Sequence, residues 1–103
     1  MSYRDSHRRW FALRYLSSRR YPAPVSEVGE HVASRLDSSR EEVESRLVER
    51  DLPALSDCNV VKYDPYTDLV CLFDDRGTFE KYVRRAANAG AILGLTPPGA
   101  TTG

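Results

Sequence analysis

A mainly α-helical domain with one small β-hairpin is what this sequence predicts, and three observations carry the prediction. The run from Val43 to Asp57 (VESRLVERDLPALSD) sets Val43, Leu47, Val48 and Leu55 at helical spacing. Two short runs rich in β-branched and aromatic residues follow, NVVKY and DLVCLF, bounded by Asp and Pro and joined through Asp64-Pro65-Tyr66-Thr67-Asp68. Two more helical patterns precede this unit and one follows it. The resulting order, helix-helix-helix-strand-strand-helix, is that of a winged helix-turn-helix, with helix 40–51 as the recognition helix and the hairpin as the wing.

Each element has a local cause. Ser6 is the expected N-cap of the first helix, which runs through HRRWFALRYL to about Ser18, with Trp10, Leu13 and Leu16 on one stripe and Phe11 and Tyr15 beside it. Pro22 and Pro24 break it, because proline and the residue before it favour extended backbone. Ser26 is read as the cap of the second helix, with Glu27 in its first turn and Val25, Val28, Val32 and Leu36 along one face. Asp37-Ser38 makes the turn, and Ser39 with Glu42 forms a capping box for the third helix. Pro53 is expected to end or kink that helix near Asp51, leaving 53–57 as a short turn. Asp64-Pro65 signals a tight hairpin. Thr78 caps a fourth helix, about 78–93, whose Phe79, Tyr82, Val83 and Ala86 share a face. A single domain over 1–94 and a disordered tail over 95–103 (LTPPGATTG) complete the reading.

Composition narrows the function. The 103 residues are enough to bury a core without staples. No apolar run is long enough to span a membrane and no apolar segment follows the Arg-rich N-terminus, so a soluble, cytoplasmic protein is expected. The two cysteines, Cys58 and Cys71, lack neighbours at zinc-ligand spacing and read as small buried residues. His7 and His31 are isolated, and Asp64, Asp68, Asp74 and Asp75 have no nucleophile or base beside them. No catalytic residue, metal site or cofactor motif emerges, and an enzyme is not expected.

Formal net charge is zero, yet it is segregated: residues 1–25 hold six Arg against one Asp, residues 26–75 five basic against thirteen acidic, and residues 76–103 four against one. Basic ends thus flank an acidic middle that contains the expected recognition helix.

On the helical wheel Val43, Leu47 and Leu55 face the core, and Glu42, Ser45, Arg46 and Glu49 face outward with Arg50 at the flank. Arg46 is the candidate for base reading, since a guanidinium can bond guanine through two hydrogen bonds. Arg40, Ser39 and Ser26 at helix starts are candidate phosphate contacts, as are Arg4, Arg8 and Arg9 if the N-terminus lies along DNA, with Tyr66 and Thr67 at the wing tip. The bland reading of Arg46 is an exposed pair with Glu42. Trp10, Phe11, Tyr15, Phe79 and Tyr82 offer more apolar surface than the core needs. They form a candidate homodimer interface, the alternative being that the fourth helix packs on the first within one chain.

Leu52-Pro53-Ala54-Leu55-Ser56-Asp57-Cys58-Asn59-Val60-Val61-Lys62-Tyr63-Asp64, together with Arg8-Arg9-Trp10 through Leu16, resembles winged-helix domains of unassigned function abundant in halophilic archaea. Asn59 stands where those domains usually have glycine, at a left-handed helix end. Arg50-Asp51 replace a histidine-containing pair. The resemblance implies a transcription-regulator-like domain working in a high-salt cytoplasm, where screening over about 3 Å at 1 M salt leaves contact geometry to decide binding. The expected function is therefore a DNA-binding regulator that contacts double-stranded DNA through helix 40–51. The alternative is a winged helix that binds a protein partner through its acidic face.

Overall fold

Helix ends set the course of this chain. A computed structural model describes residues 3–19, 21–74 and 77–94 and contains helix α1 (Tyr3–Ser17), strand β1 (Ala23–Pro24), helices α2 (Val25–Leu36) and α3 (Arg40–Arg46), a π-helical segment (Leu47–Asp51), helix α4 (Leu52–Asp57), strands β2 (Val61–Asp64) and β3 (Leu69–Leu72), and helix α5 (Phe79–Asn88). The architecture is mainly helical with a small three-stranded antiparallel sheet, ordered β1-β3-β2. Among the described residues no helix is long and apolar enough to cross a membrane. The expected tail, 95–103, lies outside them.

Three helices end in the same way. After α2, α4 and α5 a residue takes left-handed backbone, Asp37 (φ 54°), Asn59 (φ 60°) and Gly90 (φ 79°). The next amide then donates back five residues: Ser38 N–H to the Ala33 carbonyl, Val60 N–H to that of Leu55, Ala91 N–H to that of Ala86. This geometry satisfies carbonyls that would otherwise be orphaned and turns the chain sharply. It explains why Asn59 serves where glycine is usual. It also ends α5 at Asn88, short of the expected 93.

The N-termini are partly as predicted. Ser39 accepts from the Glu42 amide and Thr78 from the Lys81 amide, as caps should. Ser26 is not a cap: Pro24 precedes the first turn without a side-chain bond, and Ser26 lies inside α2. Val25 N–H is instead satisfied by the Asp68 carbonyl at 3.0 Å, tying α2 to the hairpin. Ser6 is not a cap either. It lies within α1, and its Oγ accepts from the Leu93 amide at 2.8 Å.

Pro53 does not end the third helix. The ladder widens before it, Leu52 N–H bonding the Leu47 carbonyl one residue further back than in an α-helix, and helical backbone continues to Asp57. The wider turn accommodates a ring that would otherwise collide with the carbonyl four residues earlier. A consequence is that Leu47, Asp51, Leu52 and Leu55 all point inward.

Residues 23–24, expected only as an extended break, form β1 and pair with β3 through Ala23↔Val70 and Pro24↔Leu69. The hairpin pairs Val61↔Leu72 through Asp64↔Leu69. Its turn closes by Asp68 N–H to the Asp64 carbonyl (2.8 Å), Tyr66 N–H to Asp64 Oδ1 (2.9 Å) and Tyr63 Oη–H to Asp68 Oδ1 (3.0 Å).

The core gathers Leu13 and Leu16 of α1, Val28 and Val32 of α2, Val43, Leu47 and Leu55 of the third helix, Val61 and Val70 of the sheet, and Tyr82, Val83 and Ala86 of α5. Gly29 lets α2 approach α3: a Cβ there would lie 2.5 Å from Glu44 Cγ.

Candidate functional site

The helix from Arg40 to Asp57 has one buried face and two exposed flanks that differ in charge. Glu42, Arg46 and Arg50 follow at four-residue steps and line a cleft of about 300 Å³ with Arg4, Asp5, His7 and Arg8 of α1 and Leu36 and Ser38 at the end of α2; Val43 forms its floor. The other flank, Glu41, Glu44, Ser45, Val48 and Glu49, faces a groove shared with Val25 and Ser26 of α2 and Asp68 of the hairpin turn. Among the described residues that groove is lined by four carboxylates and by no cation.

Predicted site residues divide between these flanks. Arg46 and Arg50 fall in the cleft, beside Arg4, while Ser26 and Ser45 fall in the acidic groove. Arg40 is exposed and 3.9 Å from Glu44. Ser39 is committed to its cap, and Ser45 Oγ donates to Glu49 Oε1 at 3.2 Å. Tyr66 and Thr67 are exposed at the hairpin tip, Tyr66 almost completely at 98%. The expected Glu42–Arg46 pair does not form: among the described residues no carboxylate lies within ion-pair distance of Arg46 or Arg4.

Arg8 and Arg9 are not a phosphate-contacting arm. Both are 7% exposed, and both turn inward to Asp51, which is fully buried. Arg8 Nε donates to Asp51 Oδ2 (2.5 Å), Arg8 Nη2 to Asp51 Oδ1 (2.9 Å) and Arg9 Nε to Asp51 Oδ1 (2.8 Å). Arg8 Nη2 also bonds Asp5, and Arg9 Nη1 donates to the Ala91 carbonyl at 2.8 Å. One buried carboxylate thus joins α1, the third helix and the segment after α5. Burial alone would raise the Asp5 pKa, but the hydrogen bond and charge of Arg8, followed by Arg50 and Arg9, hold it below the usual carboxylate range. Arg50 lies 3.6 Å from Asp5 Oδ2, on the wall of the cleft. Sequence reasoning missed this network because a helical wheel assigns charged residues to solvent.

The proposed dimer rings pack mainly within the chain. Tyr82 is 1% exposed, and its hydroxyl bonds the Asp74 carbonyl and, at 2.8 Å, Asp74 Oδ1, so it presents no surface to a second copy. Burial and the neighbouring Asp74 carboxylate push its hydroxyl pKa up. Trp10 packs edge-on against Phe79 (5.0 Å between centroids) and Phe11 (5.4 Å), while Tyr15 lies on His31 at 4.5 Å. These four rings stay half-buried. Cys58 and Cys71 are free thiols, also half-buried; burial raises the Cys58 pKa. Among the described residues no group of His, Cys, Asp and Glu could hold a metal ion.

Residues 5–71 match the family described as Domain of unknown function (DUF7344). The chain belongs to that family. The matched span takes in both flanks of the third helix and Asp51 with its arginine partners, and stops within β3 of this DUF7344 domain. No curated protein and no solved structure matches the chain.

Proposed function

We propose that this DUF7344 domain is a winged-helix DNA-binding protein, a transcriptional regulator whose third helix enters the major groove. Support comes from the element order, with α2 and α3 as the helix-turn-helix and the β2–β3 hairpin as the wing. The observation that carries the reading is the guanidinium edge of Arg4, Arg46 and Arg50, drawn from two helices to one exposed side. Arg46 would read guanine, Arg4 and Arg50 would meet phosphates, and Arg40, Tyr66 and Thr67 would flank them. With about three phosphates neutralised, log K should fall against log salt with a slope of only about −3, compared with about −10 for a repressor making many such contacts. The four rings left half-buried, Trp10, Phe11, Tyr15 and Phe79, support pairing of two copies through α1 and α5, which analytical ultracentrifugation reads directly.

Fluorescence anisotropy with pooled genomic duplexes, including the region upstream of the coding sequence, tests this over a salt series. Arg46→Ala should weaken specific binding by about 1–3 kcal/mol and relax one base position. Failure to retain any duplex at any salt would refute the proposal.

The acidic groove favours a second reading, a winged helix that docks a protein. Glu41, Glu44, Glu49 and Asp68 surround Val48, which is 39% exposed, and this combination suits a basic segment carrying an apolar anchor. Glu49→Lys separates the two readings. It tightens duplex binding in the first and weakens the protein complex in the second.

A further inference from the structure

We propose that the cleft between α1, the end of α2 and the third helix is a binding site for a small organic phosphate monoester. Four arginines line it, Arg4, Arg8, Arg46 and Arg50, against two carboxylates, Asp5 and Glu42. The lining therefore carries an excess of two positive charges, with Arg4 and Arg8 drawn from the basic N-terminal stretch and Arg46 and Arg50 from the acidic middle of the chain. A phosphate monoester carries about −1.5 to −2 at neutral pH, and its three terminal oxygens match converging guanidinium donors better than a planar carboxylate does.

The walls are set in advance. Arg8 is held by Asp51 and Asp5, and Asp5 in turn lies 3.6 Å from Arg50, so the base of the cleft is a hydrogen-bonded frame that needs little ordering on binding. Arg4 and Arg46 have no carboxylate partner among the described residues and so have donors to spare. Val43 is buried and Leu36 half-buried beneath them, giving a small organic group an apolar seat, with Ser38 and His7 at the edge. The volume, about 300 Å³, lies at the lower end for ligand sites and fits a compact molecule.

A backbone phosphate of a duplex has the same chemistry, and Arg46 and Arg50 cannot serve both ligands at once. If the DNA-binding reading holds, the monoester is a competitive effector. That consequence rests on the reading; the site itself does not.

The test is a titration of the whole protein with phenyl phosphate, followed through arginine side-chain and backbone amide NMR shifts, with ionic strength held constant by sodium chloride. Inorganic phosphate is the second probe. Saturable shifts confined to the cleft, tighter for phenyl phosphate, and weakened roughly tenfold or more in Arg46→Gln and Arg4→Gln but unchanged in Arg84→Gln on α5, establish the site. Both cleft variants alter exposed side chains and should keep the fold, which circular dichroism verifies. Absence of saturation up to the solubility limit, or equal binding by wild type and both cleft variants, overturns it. Duplex binding without monoester binding overturns the site and leaves the DNA reading standing. Monoester binding without duplex binding establishes the site and removes only the regulatory consequence.

Discussion

Replacing Asp51 by Asn keeps shape and removes one charge, which makes it the sharpest perturbation of this fold. Asp51 is fully buried and accepts three guanidinium hydrogen bonds at 2.5–2.9 Å, two from Arg8 and one from Arg9. Charge-assisted bonds contribute about 1.5–3 kcal/mol each. Summing them would overstate the loss, because the bonds share one acceptor group. The larger consequence is that Arg8 and Arg9 remain buried with less counter-charge, and breaking a buried pair in this way costs about 3–5 kcal/mol. A domain of this size is stable by only about 5–15 kcal/mol, so Asp51→Asn should remove about a fifth or more of its stability and lower Tm by on the order of 10–40 °C. Urea unfolding followed by Trp10 fluorescence and far-UV circular dichroism gives the value directly. Arg8→Met, Arg9→Leu and Asp51→Leu, combined with Asp5→Asn because Asp5 otherwise loses its Arg8 partner, should recover part of the loss, since an apolar cluster of similar volume carries no desolvation penalty. A cost below about 1 kcal/mol for Asp51→Asn would refute the argument. So would a combined variant as unstable as the single one, since the burden would then lie in side-chain shape rather than in uncompensated charge.

Four further outcomes are expected. Gly29→Ala, normally a gain of up to about 1 kcal/mol within a helix, should here be neutral or destabilising in urea titration, because the new Cβ meets Glu44 Cγ at 2.5 Å. Ser39→Ala should cost about 1 kcal/mol by the same assay, since Ser39 Oγ accepts from the Glu42 amide. The His31 pKa is lowered by burial and then by Arg35, so the unfolded chain binds its proton more readily and stability should fall as pH drops below about 6.5. His31→Gln should flatten Tm against pH in that window. Asp5 contributes the separate acid limb: its depressed pKa means stability present above about pH 4 and lost as pH falls through the folded value, a slope that Asp5→Asn should remove.

Much of this molecule was legible from local pattern. The 3.6-residue spacing of Val25, Val28 and Val32 placed α2, the caps at Ser39 and Thr78 marked two helix starts, and the short β-branched and aromatic runs on either side of the Asp64-Pro65 turn gave the hairpin. These signals are legible because each depends on residues within about one turn of one another. Arg46 and Arg50 were named on the exposed side of the third helix for the same reason.

Contacts between distant residues decided the rest. Asp51 meets Arg8 and Arg9 across 43 and 42 positions of chain, and Ser6 meets Leu93 across 87. No local period announces such pairs. A charged residue on a helical wheel is assigned to solvent because burying it alone is costly, and only the arrival of its counter-charge from another helix reverses the balance. The helix continues past Pro53 for a similar reason: the ring's clash is local, but the π segment that relieves it sits where Asp51 turns toward two arginines of α1. The two-residue strand β1 exists because β3 lies beside it. The amino-acid sequence by itself determined the order of the main helices and the hairpin and which side chains of the third helix face outward; tertiary structure alone carried helical backbone past Pro53, brought Arg4 to Arg46 and Arg50, gathered carboxylates on the opposite flank, and buried the arginine pair that sequence assigns to phosphate. The reason is that periodicity records how one element divides its surface, whereas the sign and grouping of charge at a site depend on which elements pack together.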